Sequence, residues 1–365
     1  MDENRASAPI ASIDVSAYDV PTDGKESDGT LEWDKTTVVV VEIAAGNERG
    51  IGWTYGARVA ADLVRDELAG VLRGKSAFAI QELRARMDQQ VRNMGRRGIA
   101  SMAIAAVEAC LWDLKAKLLG VPLVVLLGWG RPCVPIYGSG GFTSYPDERL
   151  REQLGRWVAE GIPRVKLKVG REPSRDVHRV RVVRDVVGDA QIFVDANGAY
   201  TRKQALELSR AFADLGVVWF EEPVSSEDLE GLRFLRHRVP AGIDVTAGEY
   251  GYDLSYFRRM LERGAVDVLQ ADATRCGVLN FLGADALCVG FSTPFSAHCA
   301  PTLHAHLGCA ARRLEHLEYF HDHVRIEHML FDGAPSPRQG ALWPDLSRPG
   351  FGVELKRADA RKFAV

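Results

Sequence analysis

The sequence has almost no net charge: 46 Lys and Arg stand against 49 Asp and Glu, a formal −3 over 365 residues. No basic surplus points to nucleic acid or to an anionic membrane surface. No apolar run approaches the roughly 18 residues of a membrane span. The start, Met1-Asp2-Glu3-Asn4-Arg5, carries acids and leads into no apolar stretch, so a secretory leader is not expected. There is no C-x-x-C pair. Cys110, Cys133, Cys276, Cys288, Cys299 and Cys309 lie apart, mostly among apolar neighbours, and read as free buried thiols in a reducing cytoplasm. Nor is there a phosphate loop in a phosphate loop's place. Ala69–Ser76 fits a relaxed form of that pattern, but it falls on a helix end with Gly74 as the cap.

What remains is ordinary globular composition, 46% hydrophobic and 26% charged, long enough for one large or two ordinary domains. Residues 1–131 read as a mixed α+β unit. Strands are expected over Ile10–Val20, Thr37–Ile43 and Gly50–Thr54, with a polar, mobile loop over Pro21–Asp34. Helical patterns follow over Val59–Leu72, Ala79–Asn93 and Ser101–Leu119, the last closed by Gly120 and Pro122. Residues 132–328 change texture. Short apolar runs at Val134–Tyr137, Arg164–Lys168, Gln191–Asp195, Val217–Glu221, Asp244–Glu249, Val266–Asp272, Phe291–His298 and Leu314–Glu318 alternate with amphipathic segments. Eight such repeats predict an α/β fold, a parallel (β/α) barrel. Residues 329–365 are too short for a core of their own and are expected to pack back on the N-terminal unit.

Barrel enzymes carry their chemistry at the C-terminal ends of the strands. Those ends read Lys166 and Lys168, then Asp195, Glu221, Glu249, Asp272, His298 and Glu318, about one βα unit apart. Strands that merely end in polar residues would not give seven ionisable ends running. Asp195, Glu221 and Glu249 come from adjacent strands, so their oxygens can converge on a hard cation, Mg²⁺ or Mn²⁺. About three of its roughly six positions would remain for water and substrate. Without the cation, three carboxylates that close repel until one protonates. Glu222 reads as a supporting charge beside them. Lys166 and Lys168 alternate on one strand and share a face. An ammonium neighbour and a dication would depress the Lys168 pKa toward that of a base, with ion pairing to the acids as the plainer reading. On the other side, Asp272 can fix the tautomer of His298 and leave its second nitrogen free to move a proton. His304 and His306 read as packing or surface groups. His321-Asp322-His323 could suggest a second metal, but residues one apart seldom chelate together.

With Val165-Lys166-Leu167-Lys168, Val194-Asp195-Ala196-Asn197, Phe220-Glu221-Glu222-Pro223, Ala247-Gly248-Glu249, Gln270-Ala271-Asp272 and Ser296-Ala297-His298 in order, the chain resembles the enolase superfamily, mandelate racemase subgroup. The resemblance implies a modified (β/α)7β barrel with an α+β cap, and a homo-oligomer. It also implies Mg²⁺-assisted removal of the proton α to a carboxylate through an enediolate. By the same resemblance Lys168 and His298 are the opposed bases and Lys166 neutralises carboxylate charge. Glu318, protonated, would donate to the substrate carboxylate. Asn197 and Ser139 would contact substrate, and Pro21–Asp34 with Trp53-Thr54-Tyr55-Gly56 would close over it. Asn197, Ser139 and Thr143 suit a polyol, which favours a sugar acid dehydratase. A 2-hydroxy acid racemase or epimerase uses the same two bases. Two other classes stay open: a Schiff-base aldolase with Lys168 as nucleophile, and a binding protein with a dead site.

Overall fold

The computed structural model describes residues 7–365. The chain opens with three antiparallel strands, β1 (Ile10–Ser27), β2 (Glu32–Ala45) and β3 (Glu48–Tyr55). The run Val38–Val41 is continuously apolar because both faces of β2 are covered. Val39, Val41 and Ile43 pack on the helices that follow, while Val38 and Val40 join the larger core on the other side.

The polar stretch Pro21–Asp34 is not a loop. β1 continues to Ser27, and pairing resumes at Glu26↔Trp33 after a register shift from Pro21↔Lys35. The hairpin turns on Asp28, whose carboxylate takes the Thr30 and Leu31 N–H groups at 2.6 and 2.7 Å. Pro21, Asp23 and Gly24 gave the stretch a turn's composition. The partner strand that supplies its ladder, and the barrel surface that buries its tip, are both remote in sequence.

The long helix Ile99–Leu118 lies against β3. It is rich in alanine and buried along most of its length, and Gly50 and Gly52 face it without side chains. A Cβ at Gly52 would run into the backbone of Ala106 and Cys110. Gly52→Ala is therefore expected to cost about 1–3 kcal/mol by overpacking. Urea unfolding checks this, and an unchanged midpoint would deny that the two backbones are in contact.

Eight parallel strands follow: β4 (Val134–Gly140), β5 (Arg164–Lys168), β6 (Gln191–Asp195), β7 (Val217–Glu221), β8 (Asp244–Ala247), β9 (Val268–Ala271), β10 (Phe295–Ala297) and β11 (Leu314–Phe320). Each pairs with the next, and β11 pairs with β4, so the barrel is closed. Every link between consecutive strands carries a helix, the (β/α)7β arrangement. The run expected as a strand from Phe291 starts only at Phe295. Phe291 ends the preceding helix, and Ser292 turns the chain in the left-handed region at φ 56°.

Alternation along the strands sorts the interior into layers. Tyr137, Phe193, Trp219 and Val268 form an apolar plug, with Phe193 stacked on Trp219 at 5.0 Å. Two residues further along come Ser139, Asp195 and Glu221. The plug closes the barrel below, and the ionisable groups stand above it.

The tail touches both the N-terminal strands and the barrel. Val365 N–H donates to Ala17 O at 3.1 Å, and Phe331 and Phe351 pack on Trp53. Ala341–Leu342 pairs antiparallel with β4. Among the described residues no helix is long and apolar enough to cross a membrane.

Candidate active site

Asp195 and Glu221 are the last residues of β6 and β7, and Glu249 stands two residues beyond β8, after Gly248 at φ 138°. A carboxylate oxygen of each lies within 4.8 Å of the others, and all three side chains are buried. Asp195 is oriented by the Asn197 N–H at 2.8 Å, and Glu221 by the Trp219 indole N–H at 2.9 Å. Burial, with Asp195, Glu318 and Glu249 adding to it against Lys166, pushes the Glu221 carboxyl up to about 7. Oε1 of Glu222, buried next to Glu221, has no hydrogen-bond partner. Three buried carboxylates whose oxygens converge from adjacent strands are the donor set of a hard divalent cation.

Lys166 is fully buried, with Nζ 2.7 Å from Glu221 and 2.8 Å from Glu318. Lys168 Nζ is 2.5 Å from Asp195. The low Lys168 pKa was expected beside a bound dication; with Asp195 unshared, the ion pair decides instead. Burial opposes the charge, but Asp195 outweighs it and holds the ammonium above the usual lysine range.

Across the mouth, Asp272 Oδ2 meets His298 Nδ1 at 2.9 Å, while Thr274 N and Oγ1 each donate to Oδ1 at 2.7 Å. Nδ1 thus carries a proton toward Asp272. Nε2 faces the cavity, 3.0 Å from Glu249 and 3.5 Å from Glu318. Burial opposes protonation, yet Cys299, Glu249, Glu318 and Asp272 together raise the imidazole well above its usual value.

Glu318 lies within β11 rather than at its end. Burial raises its pKa, but Lys166, His298 and Lys168 outweigh that and hold the carboxyl below the usual range. These neighbours favour the carboxylate form over the protonated donor expected. Ser139 does not reach the cavity. It is fully buried, and its hydroxyl donates to Glu318 at 2.6 Å. Thr143 is also spent elsewhere, on Ser27 and Asp28 of the hairpin tip. Trp53 sits in the core, so of the expected second lid segment only Tyr55 and Gly56 line the cavity.

That cavity, about 360 Å³, lies between hairpin and barrel. Lys168, Asn197, Glu249 and His298 form its floor, and Trp33, Lys35 and Tyr55 its roof. Two neighbours escaped the reading of strand ends. Arg275 donates to the Glu249 carbonyl at 3.0 Å, and Cys299 Sγ lies 3.3 Å from His298 Nε2. Both lie within three residues of a strand-end group, which is the one signal that pointed to them. His304 is a packing group: Nδ1 bonds the Cys299 carbonyl at 2.8 Å and Nε2 accepts from Ala273 N–H at 3.0 Å. His306 is likewise buried, against Phe351.

Residues 12–128 match the family model for the mandelate racemase/muconate lactonizing enzyme N-terminal domain, and 149–360 that for the enolase C-terminal domain-like family. The chain belongs to the mandelate racemase/muconate lactonizing enzyme family of the enolase superfamily. Within that family, the L-talarate/galactarate dehydratase of Salmonella typhimurium is 29% identical over 90% of this chain and 82% of its own. A crystal structure of a mandelate racemase/muconate lactonizing enzyme-like protein from Rubrobacter xylanophilus is 53% identical, with TM-score 0.96, over 98% of this chain and all of that one. A racemase from Streptomyces coelicolor A3(2), crystallised with magnesium, is 28% identical with TM-score 0.92, over 98% of this chain and all of its own.

Proposed function

We propose that this enzyme dehydrates a sugar acid, an aldonate or aldarate, to a 2-keto-3-deoxy acid with Mg²⁺ as cofactor. The observation that carries the reading is the set of three converging carboxylates flanked by Lys168 on one side and the Asp272–His298 pair on the other. The Salmonella relative's dehydratase activity and the magnesium in the Streptomyces structure support it.

Asp195, Glu221 and Glu249 would hold the ion. When bound, Mg²⁺ supplies positive charge against the negative charge that develops on the substrate carboxylate as the α-proton leaves. With Asp195 engaged as a ligand, Lys168 would lose the partner that holds its ammonium, and its pKa would fall toward that of a base. Lys168 then takes the α-proton, and Lys166 offsets carboxylate charge from beneath. His298, protonated and held by Asp272, gives its Nε2 proton to the departing β-hydroxyl, so water leaves and the enol product tautomerises to the ketone. Glu318, tied to Lys166 and Ser139, sets the charge behind His298. Asn197 faces the cavity with its side-chain oxygen unpartnered, and it contacts the substrate hydroxyls.

A racemase is the second reading, favoured by the same two opposed bases and by the Streptomyces structure. The partner in either case is a small carboxylate. We place the enzyme in the cytoplasm as a homo-oligomer, with 1–131 as cap, 132–328 as catalytic barrel and 329–365 returning to the cap.

The test is a screen of stereoisomeric hexonates, pentonates and aldarates for 2-keto product, with α-proton exchange recorded in D₂O. On a substrate so found, EDTA is expected to abolish both product and exchange, and Mg²⁺ to restore them. Full activity in EDTA would leave a Schiff-base mechanism on Lys168. Exchange with no keto product on any acid would decide for racemisation.

A further inference from the structure

The hairpin carries a second cluster of metal-binding groups, apart from the barrel acids. Asp23 and Glu26 lie on β1, and His321 opens the helix that follows β11. A ligand atom from each lies within 4.8 Å of the other two. The triplet His321-Asp322-His323 is not itself the site, because its members diverge. Asp322 is taken by Thr36 and Arg325, and His323 accepts from Ala300 N–H at 3.2 Å and stacks on Tyr55.

Glu26 is fully buried. One of its oxygens takes the Trp33 indole N–H at 3.1 Å. The other, Oε1, is buried with no hydrogen-bond partner, a costly arrangement for a carboxylate without a counter-charge. His321 Nε2 lies 3.0 Å from Asp23 Oδ2, so an imidazole nitrogen and a carboxylate oxygen already face one another beside Glu26. The two cations nearby are already engaged. Arg149 donates to Asp23 Oδ1 at 2.7 Å, and Arg325 to Asp322 at 3.0 Å. Asp23 is exposed, which leaves an ion a way in.

We propose that Asp23, Glu26 and His321 form a second divalent-cation site that clamps the hairpin onto the barrel mouth. One imidazole nitrogen with two carboxylates suits Zn²⁺ or Mn²⁺ better than Mg²⁺, which prefers oxygen alone. The hairpin supplies Leu31, Trp33 and Lys35 to the cavity wall, so an ion here fixes the wall without touching the barrel acids.

Zinc bound per folded chain, measured by mass spectrometry with Mg²⁺ in excess, tests this. The wild type is expected to hold one more Zn²⁺ than Glu26→Gln or His321→Asn, and Glu221→Gln is expected to keep that ion. Equal zinc in the wild type and both variants overturns the proposal, and so does its loss in Glu221→Gln, which would place the ion on the barrel acids. Should both hairpin variants fail to fold, Co²⁺ added to the Glu221→Gln chain decides. Visible d–d bands of a nitrogen-containing site support the clamp, and their absence ends it, leaving Arg149, Asp23 and His321 as an ion-pair network.

Discussion

His298→Asn is expected to lower turnover by about 10²–10⁴-fold, the range that a positioned acid or base contributes. Asn fills similar space but carries no proton at neutral pH. The fold should survive. Asp272 keeps its bonds from Thr274, and its cap of the short helix Ala273–Cys276 does not depend on the imidazole. The variant should therefore unfold at nearly the wild-type temperature while both product formation and His298-side exchange disappear. If Lys168 takes the α-proton, exchange in D₂O from its side of the substrate persists when dehydration has stopped. That split is the sharper readout, because a merely structural role for His298 would lower both together. A wild-type rate in the variant would remove the pair from the mechanism.

The site was legible in the sequence to the extent that strand periodicity carries it. Lys168, Asp195 and Glu221 end their strands and Lys166 lies two residues before such an end, so the alternation that hides Phe193 and Trp219 below also aims the charges upward. Glu249, Asp272 and His298 follow their strands by one or two residues, close enough for the same logic to find them. The misreadings have a common cause, which is that partners come from elsewhere in the chain. Ser139 was expected at the substrate by the family resemblance alone. Only the β11–β4 closure shows that Glu318 takes its hydroxyl. The charge states of Lys168 and Glu318 depend on which opposite charge is nearest, and spacing along the chain does not report that distance. The hairpin was read as a loop for the same reason. Its turn-like composition is local, while Gly29 rests against the carbonyls of Val169 and Ala196, far along the chain.

Glu221→Gln is expected to weaken Mg²⁺ binding by about 100-fold or more. Changing groups that only support metal ligands already costs about 10–100-fold, and here a charged donor is lost outright. The geometry makes Glu221 the sharpest of the three acids to test. It is the middle one, on the strand between those that bring Asp195 and Glu249, so neither neighbour can cover for it. It also holds Lys166 through both oxygens, at 2.7 and 2.8 Å. Neutral Gln leaves that buried ammonium with Glu318 as its close partner, and adds its own repulsion from the incoming ion. Loss of affinity should thus come with a fall in stability of the metal-free chain, a pairing that a surface carboxylate would not produce. Titration calorimetry reads the first and thermal unfolding in EDTA the second. Wild-type Mg²⁺ affinity in Glu221→Gln would take the ion away from these three carboxylates, and the proposed division of labour between Lys168 and His298 would go with it.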